Sequence, residues 1–237
     1  MNHILAGDHG KRIAIIENEF GEVGVDDGLV VQTEEEIFEM NNGCVCCTVR
    51  QDLIRILGKL TRRKNAFDHI LIETTGLADP APVAQTFFVD EDLKEKLFLD
   101  AILTVADAKH LGSHLDEEKP DGVENESVEQ IAFADRILLN KIDLVDDAEK
   151  DALIVKIRKI NAKAKIIESQ QSKVPLDDIL GIRAFDLDAV VEMDAEFLDV
   201  DGEHQHDETV SSVGIEMKDV ALDSEKRNTW LRQLLGS

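Results

Sequence analysis

The chain has few basic residues for its length, with 26 lysines and arginines against 50 aspartates and glutamates in 237 residues. Its formal net charge is therefore −24. Nucleic acids and anionic membrane surfaces are bound mainly through basic patches that meet phosphate groups. The composition thus argues against nucleic acid or a membrane as the main partner. An acidic surface suits the handling of cations, although simple solubility accounts for it equally well.

Long apolar runs are also lacking, and no stretch is long and apolar enough to span a bilayer. The first five residues have neither the basic start nor the apolar stretch of a signal peptide. Cysteine is scarce, and the three present form an odd number that does not fit a disulfide framework. These absences together predict a cytoplasmic protein in a reducing compartment.

All the cysteines lie in one short segment, as Cys44, Cys46 and Cys47. Cys46 and Cys47 are adjacent, so a disulfide between them would strain the backbone, and any single disulfide leaves one thiol over. Three converging thiolates can bind Zn²⁺ in a tetrahedron and leave one position open. We therefore predict a zinc site at this segment. The alternative is a turn that is merely rich in cysteine.

Short apolar runs with β-branched residues recur along the first 170 residues. Such runs are typical of strands buried on both faces of a parallel sheet. Amphipathic helical stretches separate them. This alternation predicts an α/β fold with a parallel sheet flanked by helices. The predicted strands are residues 12–16, 69–72, 101–105, 136–139 and 165–167.

The last fifty residues show a different pattern. An acidic stretch without a convincing strand comes first, and one strand (209–217) and one helix (228–235) follow. A single strand and helix cannot bury their own apolar faces, so they predict only part of a second domain. The predicted units are a domain over residues 1–185, an acidic linker over 186–208 and a partial α+β domain over 209–237.

Asn140, Lys141 and Asp143 directly follow one of the predicted buried strands. Ligands of parallel sheets bind at the carboxyl ends of the strands. Guanine suits this pattern because the Asp143 carboxylate can accept from its N1–H and its exocyclic amine, whereas adenine has an acceptor at N1. Lys141 would lie along the base plane, and Asn140 would tie the loop together. Because such a short string occurs on many surfaces, its place after a strand is what makes it a guanine-binding candidate.

A second polar segment begins where another predicted strand ends, at Glu73. An acidic residue in that place can hold Mg²⁺, usually through water, as phosphate sites require. Gly76 can bring a backbone N–H close to a terminal phosphate without a side chain in the way. The alternative is an ordinary loop capped by Asp79, which leaves Glu73 and Gly76 unexplained.

Four segments, in this order, resemble the CobW-like family of metallochaperone GTPases, which is related to the nickel-insertion accessory GTPases of hydrogenase and urease. They are residues 17–22, 43–47, 73–80 and 140–143. The resemblance implies a P-loop-NTPase-like fold followed by an α+β C-terminal domain. It also implies the coupling of GTP binding and hydrolysis to the holding of zinc, or another divalent metal, for a client protein.

The resemblance further assigns roles to single residues. It places Asn18 and Glu19 in a first switch segment near the nucleotide, and Glu73 and Gly76 in a second switch segment with a catalytic role. The three cysteines become the metal site. The implied ligands are GTP or GDP, Mg²⁺ and Zn²⁺, and the implied partner is a client metalloprotein. A homodimer is an open alternative for the assembly.

The family's phosphate-binding loop, G-x-x-x-x-G-K-[ST], and the strand before it are lacking from this sequence. The amides, lysine and hydroxyl of that loop hold the phosphates and Mg²⁺. We therefore expect the chain to be truncated at both ends, and the 237 residues alone to hydrolyse GTP negligibly. The alternative function is a non-hydrolysing metal-binding or regulatory module. A thiol-redox protein is a third alternative, but it would leave the guanine pattern without a purpose.

Overall fold

The structure is a computed structural model that describes residues 2–5, 10–18, 36–40, 46–63, 67–76, 78–119, 125–193, 197–198 and 223–235. Its strands are β1 (Ile13–Asn18), β2 (Glu36–Met40), β3 (His69–Glu73), β4 (Leu103–Asp107), β5 (Arg136–Asn140) and β6 (Lys165–Glu168). Its α-helices are α1 (Asn2–Leu5), α2 (Cys46–Thr61), α3 (Ala81–Val89), α4 (Glu91–Lys94), α5 (Leu111–Leu115), α6 (Glu126–Ala132), α7 (Asp147–Ile160), α8 (Leu187–Met193) and α9 (Ser224–Leu235).

Every strand pair in the described residues is parallel, as predicted. The strands form two three-stranded sheets, with the orders β2-β1-β3 and β4-β5-β6, rather than the single sheet predicted. One apolar cluster contains side chains from both sheets, among them Ile13 and Ile15 of β1 and Leu138 of β5. The two sheets therefore share a core, although no backbone pairing between their described strands joins them.

The five predicted strands all form, and each begins and ends within two residues of its predicted bounds. β2 is the strand that the sequence analysis missed. It pairs with β1 alone, at the edge of its sheet. An edge strand does not need the continuous apolar run by which strands buried on both faces are recognised, and Glu36 and Glu39 interrupt that run here.

α2 covers one face of the first sheet. Its apolar stripe, which includes the completely buried Leu53 and Leu57, packs on Ala14 and Ile16 of β1 and on Phe87 of α3. Apolar residues three and four apart form such a stripe on one side of a helix. α6 and α7 pack on β5 of the second sheet in a separate cluster. Helices thus cover faces of both central strands. The polar residues lie at the carboxyl ends of these strands.

Within the stretch predicted as an acidic linker from residue 186, the structure describes residues 186–193 and 197–198. Residues 187–193 form α8, and Val190 and Phe197 are buried against Ala81 of α3 and Phe133. The acidic residues that suggested a linker lie between these apolar ones, as on any amphipathic helix. The predicted helix near the end of the chain is present as α9, and the predicted strand 209–217 lies outside the described residues.

Membrane insertion through a helix has no support in the described ranges, because none of their helices is both long and apolar enough to cross a bilayer.

Asn161 joins α6 to α7, and its loss should lower the free energy of unfolding. Its Nδ2 lies 2.9–3.0 Å from the carbonyl oxygens of Ile131, Ala132 and Ala134 at the end of α6. We expect Asn161→Ala to cost about 2–3 kcal/mol, because partly buried carbonyls lose their donor. Urea unfolding measures this change. Lys163→Ala is the control and should stay within about 0.5 kcal/mol, since that side chain is exposed; equal losses in both variants would contradict the role of Asn161.

Candidate functional site

Asn140, the last residue of β5, ties together the ends of two strands. Asn140 is buried, with only 9% of its surface exposed. Its Oδ1 accepts from the Ser172 backbone N over 2.8 Å and from the Ser169 hydroxyl over 3.2 Å. Both serines belong to the segment after β6. The amide therefore holds the loops after β5 and β6 at a set separation, which is what a ligand held between them requires.

Lys141 is held by an acidic residue that the sequence analysis did not single out. Its Nζ lies 2.7 Å from Oδ2 of Asp107, the last residue of β4, and His110 Nδ1 lies 3.1 Å from the same oxygen. Burial would raise the pKa of the Asp107 carboxyl, but hydrogen bonds from Lys141, His110 and the Lys109 amide outweigh it and hold that pKa well below its usual range. Asp107 therefore stays ionised and restrains the lysine.

Strained backbone is concentrated at the same place. Lys141 has φ +62°, and Gln171 and Ser172 each have φ +52°. Side chains other than glycine rarely adopt this left-handed conformation, which persists where the surroundings impose it. Three such residues in the two loops joined by Asn140 indicate that the backbone geometry of this site is kept at a cost in the stability of the fold.

Asp143 lies in a short 3-10 helix, Ile142–Leu144, directly after these residues. It is exposed, and it has no hydrogen-bond or ion-pair partner among the residues that the structure describes. A carboxylate at the carboxyl end of a central strand, next to a rigid loop, is available to accept hydrogen bonds from a ligand. Asn140, Lys141 and Asp143 are thus brought to one edge of the second sheet, as the sequence analysis expected of their spacing.

Glu73 and Gly76 lie at the corresponding edge of the first sheet. Glu73 ends β3 and is opposite Glu17 of β1 in the parallel register. Glu17 is nearly buried, whereas Glu73 is exposed and has no partner among the described residues. A Cβ added at Gly76 would meet no atom of the described residues within 4 Å. This edge therefore offers one available carboxylate and open space beside a glycine.

A glutamine from α6 holds the segment that follows β3, here called the Gly76 loop (residues 74–76 and 78–79). Gln130 Nε2 lies 3.0 Å from the Gly76 carbonyl oxygen and 2.9 Å from that of Ala78. At the end of the loop, Asp79 Oδ1 accepts from the Ala81 backbone N over 2.8 Å. The loop is therefore anchored to α6 on one side and to the start of α3 on the other.

Two of the three predicted metal ligands begin a helix. Cys46 and Cys47 are the first residues of α2, and their side chains, like the whole of Cys44, lie outside what the structure describes. Glu19 also lies outside the described residues, and Asn18 is the last residue of β1. Within the described part, no group of three or more metal-ligating side chains is assembled. The structure therefore leaves the cysteine site untested.

Sequence reasoning missed several polar residues that arrange the site, among them Asp107, Gln130 and Ser172. Asp107 follows the same rule as Glu73, a carboxylate at the carboxyl end of an apolar strand, and could have been found by applying that rule to every strand. The other two carry no local signal, because their partners lie 52 and 32 residues away in the chain.

The model of the family described as CobW/HypB/UreG, nucleotide-binding domain, matches residues 1–168. Zinc-regulated GTPase metalloprotein activator 1 of Schizosaccharomyces pombe is 41% identical over 195 residues, which cover 80% of this chain and 45% of that protein. The zinc chaperone YjiA of Escherichia coli is 38% identical over 192 residues, covering 79% of this chain and 58% of that one. The chain thus spans about half the length of the curated relatives it matches.

A solved structure agrees with these sequence matches. The crystal structure of Zn(II)-bound YjiA GTPase from E. coli superposes with a TM-score of 0.56 at 32% sequence identity. It covers 78% of this chain and 57% of that one. The fold is that of the P-loop NTPases, with parallel sheets flanked by helices, and the predicted fold class is confirmed.

Asn140 and Asp143 should respond differently to truncation in the ligand-free protein. Asn140→Ala removes the acceptor of the Ser172 amide, and we expect it to cost about 1–3 kcal/mol of unfolding free energy. It should also speed amide hydrogen exchange in residues 169–173. Asp143→Ala is the matched control and should change stability by less than about 0.5 kcal/mol, because its side chain is exposed and has no partner among the described residues. Equal behaviour of the two variants would contradict this division.

Proposed function

The chain belongs to the CobW/HypB/UreG nucleotide-binding family, and from that premise we propose that it is part of a GTP-dependent zinc chaperone. In this proposal the protein binds zinc at its cysteines, hydrolyses GTP and delivers the metal to a client protein. One observation carries it: Asp143 is exposed beside the loop that Asn140 and Lys141 anchor, and none of the described residues is its partner. The names of the relatives, zinc chaperone and zinc-regulated GTPase, supply the cargo.

The guanine base lies at the carboxyl end of β5 in this proposal. Asp143 accepts from the N1–H and the exocyclic amine of the ring, a pattern that adenine does not present. Lys141, restrained by Asp107, lies along the base with its alkyl chain. Asn140 holds the loops after β5 and β6 together beside the base.

The phosphates lie at the first sheet, beside the Gly76 loop. The open space at Gly76 admits a phosphate oxygen close to the backbone. Glu73 and the neighbouring Glu17 form a hard oxygen donor set of the kind that Mg²⁺ accepts, so the residues present fit that ion. Mg²⁺ would neutralise charge on the phosphates. Asn18, at the end of β1, and Glu19 are proposed to contact the nucleotide from the neighbouring strand.

Zinc is the cargo, and Cys44, Cys46 and Cys47 are its proposed ligands. Two of them begin α2, and the positive end of a helix dipole favours the thiolate form that binds metal. A fourth position is left for a ligand from the client protein. We place this activity in the cytoplasm, where thiols stay reduced. The homodimer named among the alternatives stays a prediction.

Asp143→Asn should change the base preference from guanine to xanthine. The new amide donates to the carbonyl at position 2 of xanthine, and it cannot accept the two hydrogen bonds of guanine. We expect a loss of GDP affinity on the order of 100-fold, because hydrogen bonds to a charged carboxylate contribute about 1.5–3 kcal/mol. The measurement uses fluorescent nucleotides on the chain extended by the family's phosphate-binding loop ahead of residue 2. Asp147→Asn, at an exposed position that begins α7, is the control. An unchanged preference for GDP would remove Asp143 from the base site.

One Zn²⁺ should bind to the three cysteines, with release of thiol protons and weaker binding as the pH falls. X-ray absorption of the zinc-loaded chain is expected to show sulfur at about 2.3 Å. Replacing the three cysteines by serine should abolish tight binding, because a hydroxyl is rarely deprotonated. A shell of nitrogen and oxygen alone, at about 2.0 Å, would refute the site.

Zinc affinity should depend on the nucleotide if the protein is a chaperone. In the chain extended by a phosphate-binding loop, titration of zinc against a competing chelator measures the affinity with GDP and with a GTP analogue. We expect a difference of at least about fivefold, and zinc must change the nucleotide affinity by the same factor. Equal zinc affinities would indicate a protein that binds zinc and GTP independently, and the delivery function would be wrong.

A further inference from the structure

A partly buried polar contact joins α2 to α3, between two residues that have no ligand-binding role in the proposal above. Arg50 Nη2 donates to Gln85 Oε1 over 2.7 Å. Gln85 is completely buried, on a helix whose other buried residues include Ala81, Ala84 and Phe87. Two further donors of the pair, Arg50 Nε and Gln85 Nε2, are buried and have no hydrogen-bond partner among the described residues.

Stability does not explain this pair. A methionine has nearly the volume of a glutamine and would fill the same place without burying an amide. An unpaired buried donor lowers the stability of the fold, and a desolvated guanidinium adds to that cost. A half-satisfied polar pair in an otherwise apolar interface therefore calls for another reason.

The position of the pair suggests that reason. Arg50 lies in the second turn of α2, three and four positions after Cys47 and Cys46, and residues at these spacings share one side of a helix. Gln85 lies in the second turn of α3, which begins where the Gly76 loop ends. The contact thus joins the helix that starts with the cysteines to the helix that follows the proposed phosphate loop.

The Gly76 loop is rigidly connected to this contact. Asp79 at its end accepts from the Ala81 amide, so a shift of the loop is passed to the start of α3. The apolar packing between α2 and α3, through Leu53 and Phe87, is not directional and allows the helices to slide. A hydrogen bond from a charged guanidinium is directional and sets the distance between them.

We propose that Arg50 and Gln85 are positioning residues that couple the Gly76 loop to the cysteine-bearing start of α2. The inference rests on the proposed function, because it supplies the physical route between zinc and GTP. Because two buried donors of the pair have no acceptor among the described residues, the hydrogen bonding of this arrangement is incomplete. A second arrangement, in which they gain acceptors, is then close in free energy, and a ligand at either end selects between the two.

Amide hydrogen exchange on the 237-residue chain, with and without Zn²⁺, tests the link without any nucleotide. In the unmodified chain, zinc should change the exchange of residues 74–79 by on the order of fivefold or more, the lower end of ordinary coupling between sites. A chelator titration of the same sample measures zinc binding separately. Gln85→Met and Arg50→Met should each abolish the response in residues 74–79 while the chain still binds zinc. The double variant should show no further change, since the two substitutions remove the same hydrogen bond.

Two other variants distinguish the link from a general loss of structure. Gln85→Glu offers a carboxylate to both Arg50 Nη2 and Nε and so stabilises the present arrangement against the second one. It should reduce the response in residues 74–79 although the contact between the helices becomes stronger. Arg55→Ala removes an exposed ion pair with Asp52 within α2 and should leave the response unchanged. Thermal unfolding checks that each variant is folded.

The outcomes separate the link from the function on which it rests. Zinc binding with no change in residues 74–79, or an undiminished response in folded Gln85→Met and Arg50→Met, would overturn the link and leave the zinc-binding part of the proposed function intact. Absence of zinc binding to the unmodified chain would overturn the proposed function first, and the link with it.

Discussion

β1 and β5 are buried on both faces, and each pairs in parallel with the two strands beside it in its own sheet. The rest of the molecule depends on this constraint. Ile13, Ile15 and Ile16 of β1, and Ile137 and Leu139 of β5, have essentially no exposed surface. Parallel strands cannot be joined by tight turns, so each connection crosses over, mostly through a helix that covers a face of a sheet. All carboxyl ends then meet at one edge of each sheet. Asn18, Glu73 and Asn140, the last residues of β1, β3 and β5, are among the residues proposed to bind the nucleotide and Mg²⁺.

The polar network at those ends gives up stability to hold a set geometry. Three left-handed residues, one of them the lysine that Asp107 restrains, lie around the Asn140 amide. Asp143 next to them has no partner in the part of the chain that the structure describes. An arrangement of this kind suits a planar ligand, because the loops are positioned before it arrives and little ordering remains to be done on binding. The Gly76 loop shows the same division, with its carbonyls held by Gln130 and its outer side open.

Much of the fold was predictable because its signals are local. Five strands and the helices between them follow from continuous apolar runs and from stripes at helical spacing. β2 was not predicted because an edge strand needs no such run. α8 was not predicted because Val190, and Phe197 beyond the end of the helix, lie among acidic residues that suggested a linker. The separation into two sheets was not predicted either, since a strand's sequence does not specify its neighbour.

The sequence by itself singled out the residues that are proposed to carry the chemistry: the cysteine cluster, the Glu73 segment and the Asn140–Asp143 string follow from residue types and their places along the chain. Only the tertiary structure decided how those residues are held. Asp107 on Lys141, Gln130 on the Gly76 loop and Arg50 on Gln85 are partners 34, 52 or 54, and 35 residues apart. No local pattern encodes such pairs, because a side chain's partner across the fold is set by the packing of strands and helices and leaves no periodic trace in the sequence.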